Sequence, residues 1–220
     1  MLCRVCRVSA PPFARAVAHG LYQDELRALL HLLKYDGMEP AADRLGQLLA
    51  RQILAVEGIP RKLMVVPVPL FKAKRRHRGF NQAEVLARAA VKALRRVNTE
   101  FELTVATGVL ERRRSTQSQA GLTPHQRRAN VRGAFFASAP DKLKGADVLL
   151  IDDIYTTGTT ARACAQALRR AGASSVHVTT VARAQRQEMI RPPEMTAKEV
   201  PMHEGVALWD AGLVPAARGV

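Results

Sequence analysis

The stretch VLLIDDIYTTGTT, residues 148–160, decides how this chain folds. Four apolar residues, Val148 to Ile151, read as a strand buried on both faces, the pattern of a central strand in a parallel sheet. Asp152 and Asp153 follow directly and are expected at the strand's carboxyl end, placed to accept hydrogen bonds from sugar hydroxyls or to hold a divalent cation. Thr156, Thr157, Gly158, Thr159 and Thr160 then make a short loop into a helix predicted over Thr160–Ala171 and stopped by Gly172. Hydroxyls and backbone N–H groups converge there at the positive end of a helix dipole, which suits a phosphate. Gly158 lets the backbone approach a ligand with no Cβ in the way.

Working outward, Val176–Ala182 is a further predicted strand, and Val131–Ser138 a short one ahead of residue 148. Leu63–Val68, rich in β-branched residues and closed by Pro67 and Pro69, reads as a buried strand running into a basic loop over Lys72–Arg78. Asn81 with Glu84 three residues later resembles a capping box, and Val85, Leu86, Ala89, Ala90, Ala93 and Leu94 mark the buried face of the helix behind it. Phe101, Leu103 and Val105 alternate as a strand, with Val109 and Leu110 as its extension. Tyr22, Leu26, Leu29, Leu30 and Leu33, then Ala41, Leu45, Leu48, Leu49, Ile53 and Val56, repeat at helical spacing on either side of a Gly37–Pro40 break and predict a helical hairpin. Strand, helix and strand, separated by a long polar stretch from strand, helix and strand, is the pattern of an α/β domain with a mostly parallel sheet flanked by helices. Residues 1–20 read as a loop-like basic lead, and residues 184–220, which carry four prolines and lose all periodicity, as a loosely ordered tail on which Trp209 can dock back.

Subtracting 19 acids from 34 bases leaves +15, a balance that favours phosphate-bearing partners, whether a small metabolite or a nucleic acid. The longest apolar run that admits prolines, Leu63–Phe71, is far short of the ~18 residues of a membrane span, and no apolar stretch with a cleavage site follows the basic N-terminus, so a cytoplasmic protein is expected. No G-x-x-x-x-G-K-[ST] loop is present, which excludes a P-loop nucleotide hydrolase. Cys3 and Cys6 form a lone C-x-x-C, half of a four-ligand zinc site, and Cys164 lies in a predicted helix.

The thirteen residues 148–160 resemble the phosphoribosyl pyrophosphate (PRPP) motif of type I phosphoribosyltransferases. The blocks PVPL (67–70) with RHRGFNQA (76–83), SQAGL (118–122) with RRANVRGAF (127–135), and Leu33-Lys34-Tyr35 are similar to the ComF family, over about residues 1–183. This resemblance implies a type I phosphoribosyltransferase-like domain over residues 21–183 with a flexible hood at 112–136 and an N-terminal helical hairpin. It places the ribose hydroxyls on Asp152 and Asp153 and the 5′-phosphate on Thr156–Thr160. Pyrophosphate and Mg2+ are implied at the basic segment, with Lys74, Arg75, Arg76 and Arg78, and hood contacts at Gln119, Arg128 and Asn130. Asp152 and Asp153 are then also candidate magnesium ligands, direct or indirect. Residues 1–20 are implied to be the remnant of a zinc module whose second cysteine pair is Cys3 and Cys6, giving a Zn2+ half-site.

The expected activity is transfer of ribosyl phosphate from PRPP to an acceptor the sequence does not name, linked through the family to competence and DNA uptake. The rival expectation is a noncatalytic nucleotide sensor that binds single-stranded DNA or competence proteins through Lys72–Arg78 and Arg112–Arg114, although Arg112–Arg114 also read as a solvated charge run. No residue stands out as the catalytic base; His77 and His125 lie in basic segments where surface histidines are common.

Overall fold

The computed structural model describes residues 10–36, 39–97, 100–114, 131 and 133–184. Its strands are β1 (Arg15–Leu21), β2 (Lys62–Pro67), β3 (Glu102–Val105), β4 (Leu110–Arg112), β5 (Phe135–Ala137), β6 (Asp147–Tyr155) and β7 (Ser175–Arg183). The helices are α1 (Asp24–His31), which runs into a π turn at Leu32–Asp36, α2 (Glu39–Leu54), α3 (Lys72–Arg78), α4 (Gln82–Val97), α5 (Pro140–Leu143) and α6 (Thr159–Arg170). Five strands form one sheet in the order β1-β7-β6-β2-β3, and every pairing in it is parallel. β4 and β5 form a separate antiparallel ribbon.

The apolar run of β6 divides between two cores because successive side chains point to opposite faces. Leu149 and Ile151 join Leu45, Leu49, Leu86 and Leu94 under α2 and α4. Val148 and Leu150 join Ala161, Cys164, Ala165 and Leu168 under α6. α2 and α4 pack closely because Gly46 has no side chain: a Cβ there would stand 2.5 Å from the Ala89 Cβ.

These two faces fix the place of a ligand. From β2 the chain crosses through α4 to β3 on one side, and from β6 it crosses through α6 to β7 on the other, so the order of strands reverses between β2 and β6. In open α/β sheets the crevice at the carboxyl ends of the strands flanking such a reversal is where ligands bind.

The structure corrects several sequence expectations. The lead is not all loop, since Arg15–Leu21 is an edge strand hydrogen-bonded alongside β7, with Ala14 N donating to Val176 O at 2.8 Å and Tyr22 N to Arg183 O at 2.9 Å. Its weak apolar pattern reflects one-sided pairing and partial burial. Lys72–Arg78 is a helix rather than a loop, closed by Gly79 in the left-handed region (φ 82°), whose N–H reaches Arg75 O at 2.8 Å. β6 extends to Tyr155, because β7 continues beside it and pairs Asp152 with Thr180 and Tyr155 with Arg183. The acids therefore lie within the strand and not just past it. Val109 and Leu110 do not lengthen β3, and the strand expected over Val131–Ser138 shortens to Phe135–Ala137, which pairs with Leu110–Arg112.

Cys3, Cys6, Gln119, His125, Arg128, Asn130 and residues 185–220 with Trp209 lie outside the described residues, as do their expected roles in zinc binding, the hood and the tail.

Candidate functional site

β2 and β6 run side by side as far as the register Pro67 to Ile151, and Val68 N then donates to Ile151 O at 2.9 Å. Beyond that point the two chains separate and leave the crevice. Asn81 secures its β2 wall: its Nδ2 donates to Val68 O at 3.0 Å, and its Oδ1 accepts from Ala83 N at 3.2 Å, capping α4. Both halves of the amide are used, which accounts for its burial at 7% exposure. Glu84 does not complete a capping box; its carboxylate turns outward to Arg88 at 2.9 Å and Arg75 at 3.4 Å.

The strand alternation that divides the cores also divides the acids. Asp153 follows Leu149 and Ile151 toward the hairpin, where its Oδ2 accepts from Lys34 Nζ at 2.8 Å. Its Oδ1 accepts from Ile154 N at 2.7 Å. Asp152 follows Val148 and Leu150 toward α6, and its Oδ1 accepts from Asp153 N at 2.9 Å. Burial, reinforced by the neighbouring Asp153 carboxylate, pushes the Asp152 carboxyl well above its ordinary range. Burial acts the same way on Asp153, but the Lys34 ammonium outweighs it and holds Asp153 below the usual value. Lys34 responds in kind: burial opposes its charge, Asp153 favours it, and the net shift is upward. Beneath Asp152 the Cys164 thiol is pushed up by burial and then by the carboxylate beside it.

Past Tyr155 the chain turns through Gly158, in the left-handed region at φ 72°, and enters α6. A Cβ at Gly158 would lie 2.5 Å from Tyr155 Cζ and collide with the phenol oxygen, so the turn requires glycine for space as well as conformation. Thr157 and Thr159 share a hydrogen bond between hydroxyls at 2.7 Å. The opening N–H groups of a helix have no acceptor within it, and α6 points them at this loop.

Cations from three elements surround the acids. Lys74 on α3 is lowered by burial and then by repulsion from Arg78, Arg112 and Lys34. Arg112 on β4 is lowered by burial, against the pull of Cys164 and Asp152, and its guanidinium lies 5.5 Å from the Phe135 ring centroid. Of the four bases expected at the pyrophosphate, Lys74 comes within electrostatic reach of Asp153 and Arg78 of Lys74, while Arg75 pairs with Glu84 and Arg76 is exposed. Lys34 appeared in sequence only as part of a resemblance, and Arg112 as one of three solvated arginines. A lone lysine directly after the apolar stripe of a helix was the available signal for the first, and the strand alternation that buries Leu110 for the second.

The described residues do not form a cage for a resident cation. Among them no group of three or more His, Cys, Asp and Glu side chains comes together, and both oxygens of Asp153 already accept hydrogen bonds within the protein. The acid pair offers two carboxylates, with the Lys34 ammonium beside one of them. Cys164 is a buried free thiol.

A parallel sheet with its crevice at this strand reversal, an acid pair on the central strand and a threonine-rich helix entry is the architecture of the type I phosphoribosyltransferase class. The phosphoribosyl transferase domain family matches residues 78–215. The chain is 31% identical over 179 residues to the DNA utilization protein YhgH of Escherichia coli K12, covering 80% of this chain and 75% of that one. It is 27% identical over 186 residues to Competence protein F of Haemophilus influenzae (83% and 78%) and 31% identical over 128 residues to Competence protein ComFC of Bacillus subtilis (56% and 45%). Among solved structures it is similar to a glutamine PRPP amidotransferase from B. subtilis, at 26% identity and TM-score 0.40, covering 64% of this chain and 26% of that one. The chain thus spans about a quarter of the amidotransferase's length. The chain belongs to the ComF family of phosphoribosyltransferase-domain proteins. No helix of the described residues is long and apolar enough to cross a membrane.

Proposed function

We propose that the protein binds PRPP in the crevice between β2 and β6 and transfers its 5-phosphoribosyl group to an acceptor. The observation that carries this reading is the acid pair of β6, followed by the α6 entry loop and met by the cations Lys34, Lys74 and Arg112. The loop Thr156–Thr160 takes the 5′-phosphate, Asp152 and Asp153 take the ribose hydroxyls, and Lys74, Arg78 and Arg112 face the pyrophosphate. In the reaction the bond from C1 to the pyrophosphate oxygen breaks with its electron pair, C1 bonds to the acceptor's nucleophile, and the acceptor's proton passes to pyrophosphate or solvent. Negative charge grows on the leaving group, so cations fixed beside it lower the barrier without reorganising. Magnesium enters this proposal as a companion of the pyrophosphate. The names of the relatives support a role in the use or uptake of DNA, and the proposal includes a cytoplasmic place of action.

Calorimetric titration with PRPP, with and without Mg2+, tests this against the Asp152→Asn/Asp153→Asn double variant. Magnesium-dependent binding that falls at least 100-fold in the variant is expected, by analogy with the loss of two hydrogen bonds to charged groups worth roughly 1.5–3 kcal/mol each. Absence of binding to folded wild-type protein overturns the reading.

A noncatalytic reading, in which the protein binds single-stranded nucleic acid, is favoured by a different feature. Phe136 is 42% exposed with the Arg113 guanidinium 4.8 Å from its ring centroid, on a groove that Gln166 and Arg170 also line. One aromatic with arginines beside it is a small stacking platform for bases. Binding of an oligonucleotide that weakens steeply with salt and is lost in Phe136→Ala supports it; affinity that is absent or insensitive to the substitution removes it.

A further inference from the structure

Lys34 reaches the acid pair from the hairpin, outside the matched domain span of residues 78–215. It does so from the π turn after α1, where Leu33 is buried in the core and fixes the backbone from which Lys34 extends. The pair is only partly exposed, 18% for the lysine side chain and 20% for Asp153, so it sits at the crevice with one side open.

An ammonium has three N–H donors and a carboxylate about four acceptor positions. Lys34 gives one donor to Asp153, and Asp153 takes one further bond from the Ile154 amide and lies against the Asp152 carboxyl, so both groups keep hydrogen-bonding capacity. A donor and an acceptor 2.8 Å apart are together the complement of a hydroxyl, which gives one hydrogen bond and takes another. A carboxylate alone can only accept. Asp152, one residue away and on the other face of the strand, provides for a second hydroxyl on the adjacent carbon.

We infer that Lys34 is a specificity-determining residue: with Asp153 it forms a two-sided clamp for one hydroxyl of a vicinal diol, making the crevice selective for ribose over deoxyribose phosphates. This rests on the sugar phosphate reading of the site given above. A site built to hydrogen-bond a hydroxyl discriminates against the analogue that lacks it because its own polar groups are left without a partner. Lys34 thereby does more than neutralise Asp153, and the two roles give different results.

The experiment is calorimetric titration of the full chain with three probes: ribose 5-phosphate, 2-deoxyribose 5-phosphate and inorganic phosphate. Wild-type protein is expected to favour the ribose compound by roughly 10- to 100-fold, the ratio that one hydrogen bond to a charged group supports. In Lys34→Met that ratio is expected to fall to within about 3-fold of unity, while inorganic phosphate, held at the Thr156–Thr160 loop, binds as in wild type. If Lys34→Met does not fold, Lys34→Gln carries the same test, because it is polar but uncharged and one atom too short to reach Asp153. A variant that binds both sugars more weakly while keeping the wild-type ratio makes Lys34 a structural or general electrostatic residue and overturns the inference. A wild-type protein that binds ribose 5-phosphate with no preference over the deoxy compound also overturns it, yet leaves the site reading intact. Wild-type protein that binds neither sugar phosphate, nor PRPP, removes the site reading and the clamp with it.

Discussion

Replacing Gly158 by alanine tests the helix entry on which the proposed phosphate site depends. The residue has φ 72°, and the Cβ of an L-residue in this region costs about 1–2 kcal/mol. The added Cβ also lies 2.5 Å from Tyr155 Cζ and 3.1 Å from Cε1, where ordinary contact begins near 3.4 Å, so the ring must move by about an ångström. Pushing a packed side chain off its rotamer or overfilling a core costs roughly 1–3 kcal/mol. Gly158→Ala is thus expected to lower the free energy of unfolding by about 2–5 kcal/mol in urea titration, the sum of those ranges. The two contributions separate in a double-mutant cycle. In a Tyr155→Ala background the collision is gone and only backbone strain remains, so the cost of Gly158→Ala falls to about 1–2 kcal/mol, a coupling of the same order. Binding of inorganic phosphate should weaken in Gly158→Ala in both backgrounds, since the φ change tilts the amides of the loop. A Gly158→Ala protein within about 0.5 kcal/mol of wild type, or a coupling near zero, refutes the account of this turn.

The acids should act oppositely on stability. Asp153 is depressed, so its contribution is present above the unfolded carboxyl value and is lost as pH falls through the folded one; Asp153→Asn is expected to cost about 1–3 kcal/mol at pH 7 and little near pH 2. Asp152 is raised, so ionising it disfavours the fold increasingly as pH climbs above the unfolded value; Asp152→Asn is expected to raise the melting temperature at pH 7, and an equal drop for both variants counts against the split. Asn81→Ala removes a cap and leaves Val68 O without its donor, for an expected loss of about 2–3 kcal/mol in urea, whereas Asn81→Asp keeps the cap, loses only the clamp on β2 and costs less; equal losses would mean the cap contributes nothing.

What could be read from the chain and what could not follows from the range of the interactions. The β6–loop–α6 segment was legible because it is contiguous: an apolar run, then acids, then glycine and threonines, each explained by its neighbours. The hairpin was legible from its 3.6-residue period, and its buried stripe holds Leu30, Leu33, Leu45, Leu49 and Ile53. α3 was not, because KAKRRHR has no buried residue and hence no period to detect; its helix rests on a phenylalanine before it and the left-handed Gly79 after it. β1 escaped because an edge strand is chosen by its partner, here β7, and not by its own composition. At the site, a local reading could not find that Lys34 meets Asp153 or that Arg112 comes within electrostatic reach of Asp152, since both meetings depend on how distant elements pack.

The contrast between the two acids unites these points. Two adjacent carboxyls on a central strand would repel if both were ionised, and the alternation of the strand lets Lys34 act more strongly on Asp153 than on Asp152. The fold resolves this asymmetrically: one acid receives a lysine from the hairpin, and the other is left facing Cys164 and Arg112 with its charge disfavoured. The unfavourable member is tolerated because the apolar residues just before it, Val148 to Ile151, are buried in two separate cores that hold the strand in place whatever the state of its polar end. A strand anchored so firmly behind the crevice can keep a poorly satisfied carboxyl at the front of it, and in the proposed function that carboxyl is the group with most to gain from a ligand hydroxyl. The hairpin packs on the face of the sheet toward which Asp153 points, and from there its lysine bonds Asp153 directly and acts on Asp152 only through space.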